Sequence, residues 1–171
     1  LIKGNLGTKV YLVTLGEFDT QTNTRNEQAP LLQEISEAVT AFYQDLTTTG
    51  LEENVVTMTY SEFGRTIDNN ANNGADHGTV APVLLFGKAV NSGFFSEPIN
   101  LNDNAINFQR NTSFEYQLNN GSSNDVAGVV DFRSIYATLL KDWLCVDPTY
   151  VQAIIGNDSN SNNIAILNNL I

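Results

Sequence analysis

Three consecutive hydrophobic patterns within residues 9–60 limit what this chain can fold into. The run Lys9-Val-Tyr-Leu-Val-Thr-Leu15 is β-branched and aliphatic and ends at Gly16. Its apolar residues fall on both alternating faces, the pattern of a strand covered above and below inside a parallel sheet. After a polar stretch and Pro30, the residues Leu31, Leu32, Ile35, Ala38, Val39, Phe42 and Leu46 recur three and four apart, which predicts an amphipathic helix stopped by Gly50. Asn54-Val-Val-Thr-Met-Thr-Tyr60 reads as the next strand. Strand, helix and strand within about fifty residues have the spacing of a right-handed crossover. The expected fold class is therefore α/β, with a largely parallel sheet flanked by helices.

Downstream, residues 80–86 form a third strand candidate, and residues 87–128 read as long loop with short strands such as Gly93-Phe-Phe95 and Phe114-Glu-Tyr116. Asp131 is placed to cap a helix with the stripe Ile135, Leu139, Leu140 and Trp143, with Tyr136 beside it, and Asp147-Pro148 is expected to end it. A last short helix uses Tyr150, Val151, Ile154 and Ile155 before Gly156. Residues 157–163 are an Asn/Ser-rich loop, and residues 164–171 are apolar enough to dock back. A chain of 171 residues and 18.7 kDa fits one domain, here residues 1–156, followed by the loop and tail of residues 157–171. Cys145 lies in the apolar helical pattern after Trp143-Leu144 and is expected to be a buried structural thiol.

Nineteen acidic residues against eight basic give a formal charge of −11, which repels a nucleic-acid duplex, so nucleic acid is not an expected partner. No run of about 18 apolar residues exists to span a bilayer. Abundant Asn and scarce Lys fit an exported bacterial protein, periplasmic, cell-surface or extracellular, whose partners are those of secretion or the cell surface. The opening Leu1-Ile-Lys-Gly suggests a processed or excised segment.

Chemistry concentrates at strand ends. The first strand delivers Glu17, Phe18 and Asp19; the second delivers Ser61-Glu-Phe-Gly-Arg65; an Asn/Gly-rich loop then leads to Asp76-His77-Gly78, which holds the chain's single histidine. Ligands of open α/β sheets sit outside the carboxyl ends of strands. Zinc takes His nitrogen and carboxylate oxygen, and a catalytic site commonly keeps three protein ligands, a count that Asp19, Asp76 and His77 would meet. Arg65, with Glu62 beside it, is the substrate-binding candidate, since a guanidinium can clamp phosphate or sulfate through two parallel hydrogen bonds. Each residue has a plainer reading: Asp-His-Gly as a capped turn, Arg65 as the ion-pair partner of Glu62, Asp68 or Asp76, and Ser61 as a cap of the Glu62 loop.

The series Leu15-Gly-Glu-Phe-Asp-Thr20, Val55-Val-Thr-Met-Thr-Tyr-Ser-Glu-Phe-Gly-Arg-Thr66, Gly74-Ala-Asp-His-Gly78 and Asp131-Phe-Arg-Ser-Ile-Tyr136 resembles domain of unknown function family 1501. Those exported bacterial proteins are placed near the alkaline phosphatase and sulfatase superfamily. The resemblance implies an alkaline phosphatase-like α/β domain of which this chain is the carboxyl-terminal portion, lacking an amino-terminal segment that carries the nucleophile. It also implies one or two divalent metals, zinc, manganese, magnesium or calcium, held at Asp19 and at Asp76 with His77. The family's motif after the first strand reads Phe or Trp, Asp, Thr, His, whereas here Gln21 follows Thr20. An amide oxygen suits magnesium, calcium or manganese better than zinc. Two functions follow as expectations: a metal-dependent hydrolase of phosphate or sulfate esters, or a non-catalytic exported binding or assembly protein that keeps the fold.

Overall fold

The computed structural model describes residues 1–65, 69–78, 81–95, 130–156 and 166–171. Thr66, Asp68, the Phe114-Glu-Tyr116 strand and the 157–163 loop lie outside the described residues. The chain forms two compact units, Leu1–Lys88 and Ala89–Ile171.

The first unit is built on α1 (Thr24–Thr48), with two short antiparallel pairs. β1 (Thr57–Met58) pairs with β4 (Leu85–Phe86), and β2 (Gly64–Arg65) pairs with β3 (His77–Gly78). The expected stripe holds along α1: Leu31, Ile35, Val39, Phe42 and Tyr43 are half-buried and Leu46 is buried, while Leu32 and Ala38 face solvent. The Tyr43 hydroxyl donates to Phe86 O at 2.7 Å and lies 3.1 Å from Thr57 Oγ1, tying the helix to the β1–β4 pair. At the far end Gly50 takes φ 68°, and Leu51 N reaches back to Leu46 O at 3.0 Å, a left-handed stop that a residue with a Cβ adopts less readily.

Two expectations are corrected in this unit. Helix α1 starts at Thr24, ahead of Pro30, which lies inside it. The early turn is held from outside, by Thr24 Oγ1 on Thr20 O (2.6 Å) and Asn23 N on Asn72 O (3.1 Å), so the helix tolerates the one hydrogen bond that proline removes. The run Lys9-Val-Tyr-Leu-Val-Thr-Leu15 forms no strand, and Val13 is 89% exposed. Among the described residues nothing pairs with residues 6–22 through backbone hydrogen bonds, so a sequence suited to a sheet interior lacks the neighbour that would make it a strand. Among the described residues β1 takes β4 as an antiparallel neighbour. The described architecture is mixed α/β.

In the second unit, α2 (Phe132–Thr138) begins at Asp131, whose carboxylate accepts from Arg133 N at 2.9 Å, as expected of an N-cap. It widens into a π-helical turn, Leu139–Trp143, where Leu144 N reaches Leu139 O at 2.9 Å. Helix α3 (Pro148–Ile155) is capped by Asp147, which accepts from Thr149 N at 2.9 Å. Asp147-Pro148 thus opens a helix instead of closing the one before, in keeping with proline's fitness for a first turn. The core gathers Ile135, Ala137, Thr138, Val151 and Leu170. The tail docks as expected: Leu167 N donates to Thr138 Oγ1 at 2.9 Å, and Asn91 N donates to Leu170 O at 3.1 Å. Cys145 is exposed, not buried, because the helical turn has ended and the backbone bends through φ 54° there. Among the described residues no helix is long and apolar enough to cross a membrane.

Candidate functional site

The site lies in the first unit, where the segment before α1 meets the β2–β3 hairpin. Asp19 and His77, far apart in sequence, come together with His77 Nε2 2.8 Å from Asp19 Oδ1. Gln21 joins them, its amide nitrogen 3.1 Å from His77 Nε2 and 3.3 Å from Asp19 Oδ1. Arg65 approaches from β2, with Nη2 3.3 Å from the same Asp19 oxygen. The side chains of Asp19 and His77 are 57% and 42% exposed, so the group opens to solvent. Hydrogen bonding from His77, then from Gln21, holds the Asp19 carboxyl below the usual carboxylate range.

Backbone contacts fix this meeting. Arg65 donates from Nη1 to Ala75 O at 2.9 Å and from Nη2 to Phe18 O at 2.8 Å. Asn70 donates through Nδ2 to Gln21 O (2.9 Å) and to Asp76 Oδ1 (3.0 Å), while its Oδ1 accepts from Asn72 N (2.9 Å) and Gly74 N (3.0 Å). Gly74 is buried, and a Cβ built on it would stand 2.1 Å from Gln21 O, so only glycine lets the hairpin loop lie this close. Phe63 stacks on His77 with ring centres 3.6 Å apart and planes 12° from parallel, which sets the imidazole's orientation.

Of the expected metal ligands, Asp19 and His77 converge. Among the described residues no three His, Cys, Asp or Glu side chains gather closely enough to hold a metal ion, and the Asp76 carboxylate is held by Asn70. Neighbours in an extended chain point to opposite faces, so adjacency in sequence separates Asp76 from His77. Gln21, two residues after Asp19, joins the pair instead, through its amide nitrogen. Arg65 reaches the cluster, but both Nη2 hydrogens and one Nη1 hydrogen are already engaged, leaving two of its five donors. Glu62 is exposed and makes no hydrogen bond or ion pair among the described residues. Ser61 Oγ donates to Phe63 O at 2.7 Å, the capping role expected of it. A separate hollow of about 390 Å³ in the second unit is lined by Phe132, Tyr136, Leu140, Ile154 and Ile155, with Arg133 paired to Asp131 at 2.7 Å.

A mixed α/β chain that gathers an aspartate, a glutamine, an arginine and its one histidine across two loops has the parts of a small polar site. The sequence matches the model of a family described as protein of unknown function (DUF1501) over residues 5–97, more than half its length, and the chain belongs to that family. No curated protein matches it. No solved structure matches it either.

Proposed function

We propose that this chain carries the metal-holding portion of an exported hydrolase of phosphate or sulfate esters. The observation that carries the reading is the approach of Asp19 Oδ1 to His77 Nε2 at 2.8 Å, with Arg65 on the same carboxylate. Asp19 and His77 would hold a divalent ion, and Asp76 would stand behind them. When bound, that ion supplies Lewis acidity toward an ester oxygen. Phe63 keeps the imidazole plane fixed, Asn70 holds the two loops in register, and Arg65 keeps Asp19 ionised while offering its remaining donors to an oxyanion. An alkaline phosphatase-like, largely parallel sheet belongs to the same reading. The exposed run Lys9-Val-Tyr-Leu-Val-Thr-Leu15 supports it, since it has the composition of a central strand; an amino-terminal segment of the same protein would cover it and bring the nucleophile.

With that segment present, and with zinc, manganese, magnesium or calcium added in turn, the protein should turn over aryl phosphates or aryl sulfates. His77→Ala should abolish the turnover. Silence with all four metals removes the hydrolase reading.

A second reading is favoured by the engagement of Arg65. Its bonds to Phe18 O, Ala75 O and Asp19 make the cluster a staple between loops, as in an exported binding or assembly protein that has kept the fold without the chemistry. A chain that holds no metal, and whose stability falls on Arg65→Ala, is the result expected of it.

A further inference from the structure

The loop between β2 and β3 carries Asn73-Gly74, one of two Asn-Gly pairs in the chain; the other, Asn120-Gly121, lies outside the described residues. Asparagine before glycine can modify itself. The glycine's backbone nitrogen, which no side chain shields, loses its proton and attacks Cγ of the asparagine, and the new N–C bond closes a succinimide ring as ammonia leaves. Water then opens the ring at either carbonyl. The product is aspartate, or isoaspartate, in which the main chain runs through the former side chain. Water is the sole co-reactant, and nothing is oxidised or reduced.

The fold presents one partner of this reaction and withholds the other. Asn73 is exposed, makes no side-chain hydrogen bond among the described residues, and sits at φ 55°, in the left-handed region that asparagine tolerates. Gly74 is buried, and its nitrogen donates to Asn70 Oδ1 at 3.0 Å. Asn72 N donates to the same oxygen at 2.9 Å, and Asn70 N donates to Gly74 O at 2.8 Å, so the main chain is pinned on both sides of residue 73. A nitrogen whose hydrogen is held in this way can neither lose it readily nor swing onto Cγ without breaking the bond. Cyclisation therefore waits on opening of the loop, and its rate follows the population of the open form.

The isoaspartyl product fits the closed loop poorly. It lengthens the main chain by a methylene inside the span that Asn70 sets through its bonds to Asn72 and Gly74. Gly74 also lies against Gln21 O, where even a Cβ would stand 2.1 Å away, so the added length cannot be taken up on that side.

We propose that Asn73-Gly74 is a latent self-modification site. The Asn70 cradle holds the reaction off in the folded loop, opening of the loop releases it, and the isoaspartyl product disassembles the hairpin that aligns His77 with Asp19. No metal or ester takes part, so the site operates whether or not the chain is a hydrolase.

The 171-residue chain is held at mildly alkaline pH, folded and in guanidinium chloride, in isotopically labelled water. Peptide mapping follows Asn73, isoaspartyl methyltransferase labels the product, and amide exchange at Gly74 is read on the same samples. Asn73 should convert roughly tenfold or more slowly in the folded chain than in the denaturant, by a factor that matches the protection of the Gly74 amide. Asn70→Ala, which removes the acceptor of both amides, should speed conversion in the folded state roughly tenfold or more. Asn73→Gln should all but stop it, because the longer side chain must close a larger and slower ring. If Asn70→Ala does not fold, the parent in sub-denaturing guanidinium chloride keeps the test, since conversion and Gly74 exchange should rise together. The purified isoaspartyl form should show an unprotected Gly74 amide and a displaced His77 ring signal. Equal rates in folded and unfolded parent, no conversion in the denaturant, or unchanged conversion in a folded Asn70→Ala overturns the proposal. So does an isoaspartyl chain that keeps the parent's Gly74 protection and His77 signal.

Discussion

Gly74→Ala tests the construction of the site at its tightest point. The added methyl would lie 2.1 Å from Gln21 O, 2.5 Å from Gln21 C and 2.9 Å from Thr22 N, all backbone atoms that cannot swing aside as a side chain can. Reaching the 3.4 Å of an ordinary contact means parting the two loops by about 1.3 Å. Overpacking of this kind costs about 1–3 kcal/mol. A displacement of that size also stretches the Asn70 to Gln21 O and Asn23 N to Asn72 O bonds, each worth about 1 kcal/mol, so a total of about 3–5 kcal/mol is expected. Urea unfolding measures the loss. Because His77 is the only histidine, its ring-proton signal can be followed without assignment, and its chemical shift should move as Asp19 and Phe63 change place around it. A variant within about 0.5 kcal/mol of the parent, with an unmoved His77 ring signal, would refute the account of how the loops are held, since that is the scatter of an ordinary surface substitution.

Three further outcomes are expected. The lowered Asp19 pKa means that its ionised form contributes stability in full above the unfolded-state value near 3.9 and loses it as pH falls through the lower folded-state value. The difference in urea midpoint between the parent and Asp19→Asn should therefore be present at neutral pH and close as the pH falls below the usual carboxylate range. Thr138→Val leaves the Leu167 amide without its acceptor in a site where Thr138 is 0% exposed, a loss of about 1–3 kcal/mol with faster hydrogen exchange at Leu167. Val13→Ser should stay within about 0.5 kcal/mol of the parent, because the side chain faces solvent; a loss of several kcal/mol would mean the run is buried.

What the sequence disclosed follows from the range of the forces involved. The stripe of α1, its stop at Gly50 and the cap at Asp131 are decided within a few residues, and they are found in place. Pairing is decided between distant residues. The run before Gly16 has all the local credentials of a strand, yet a strand exists only beside another, and the direction of β1 against β4 is equally absent from either segment alone. The site divides along the same line. Asp19 and His77 were legible because each leaves its segment at an end where donors collect. Asp76 stands beside Asn70 in the fold, and Gln21, read from the sequence as an amide in place of the family's histidine, is found within reach of Asp19 and His77 only once the chain is folded.

The uncovered run also sets how the protein behaves in bulk. Val10-Tyr-Leu-Val-Thr-Leu15 has no proline and no charge, the composition that stacks into intermolecular sheets, and Lys9 and Glu17 are its nearest charged neighbours. What keeps two copies apart at a distance is their shared charge of −11, a repulsion that reaches only about 10 Å at 0.1 M salt and shortens as salt rises. Light scattering should thus increase with added sodium chloride and fall back in Val13→Lys, so that ionic strength sets how readily copies of this chain associate.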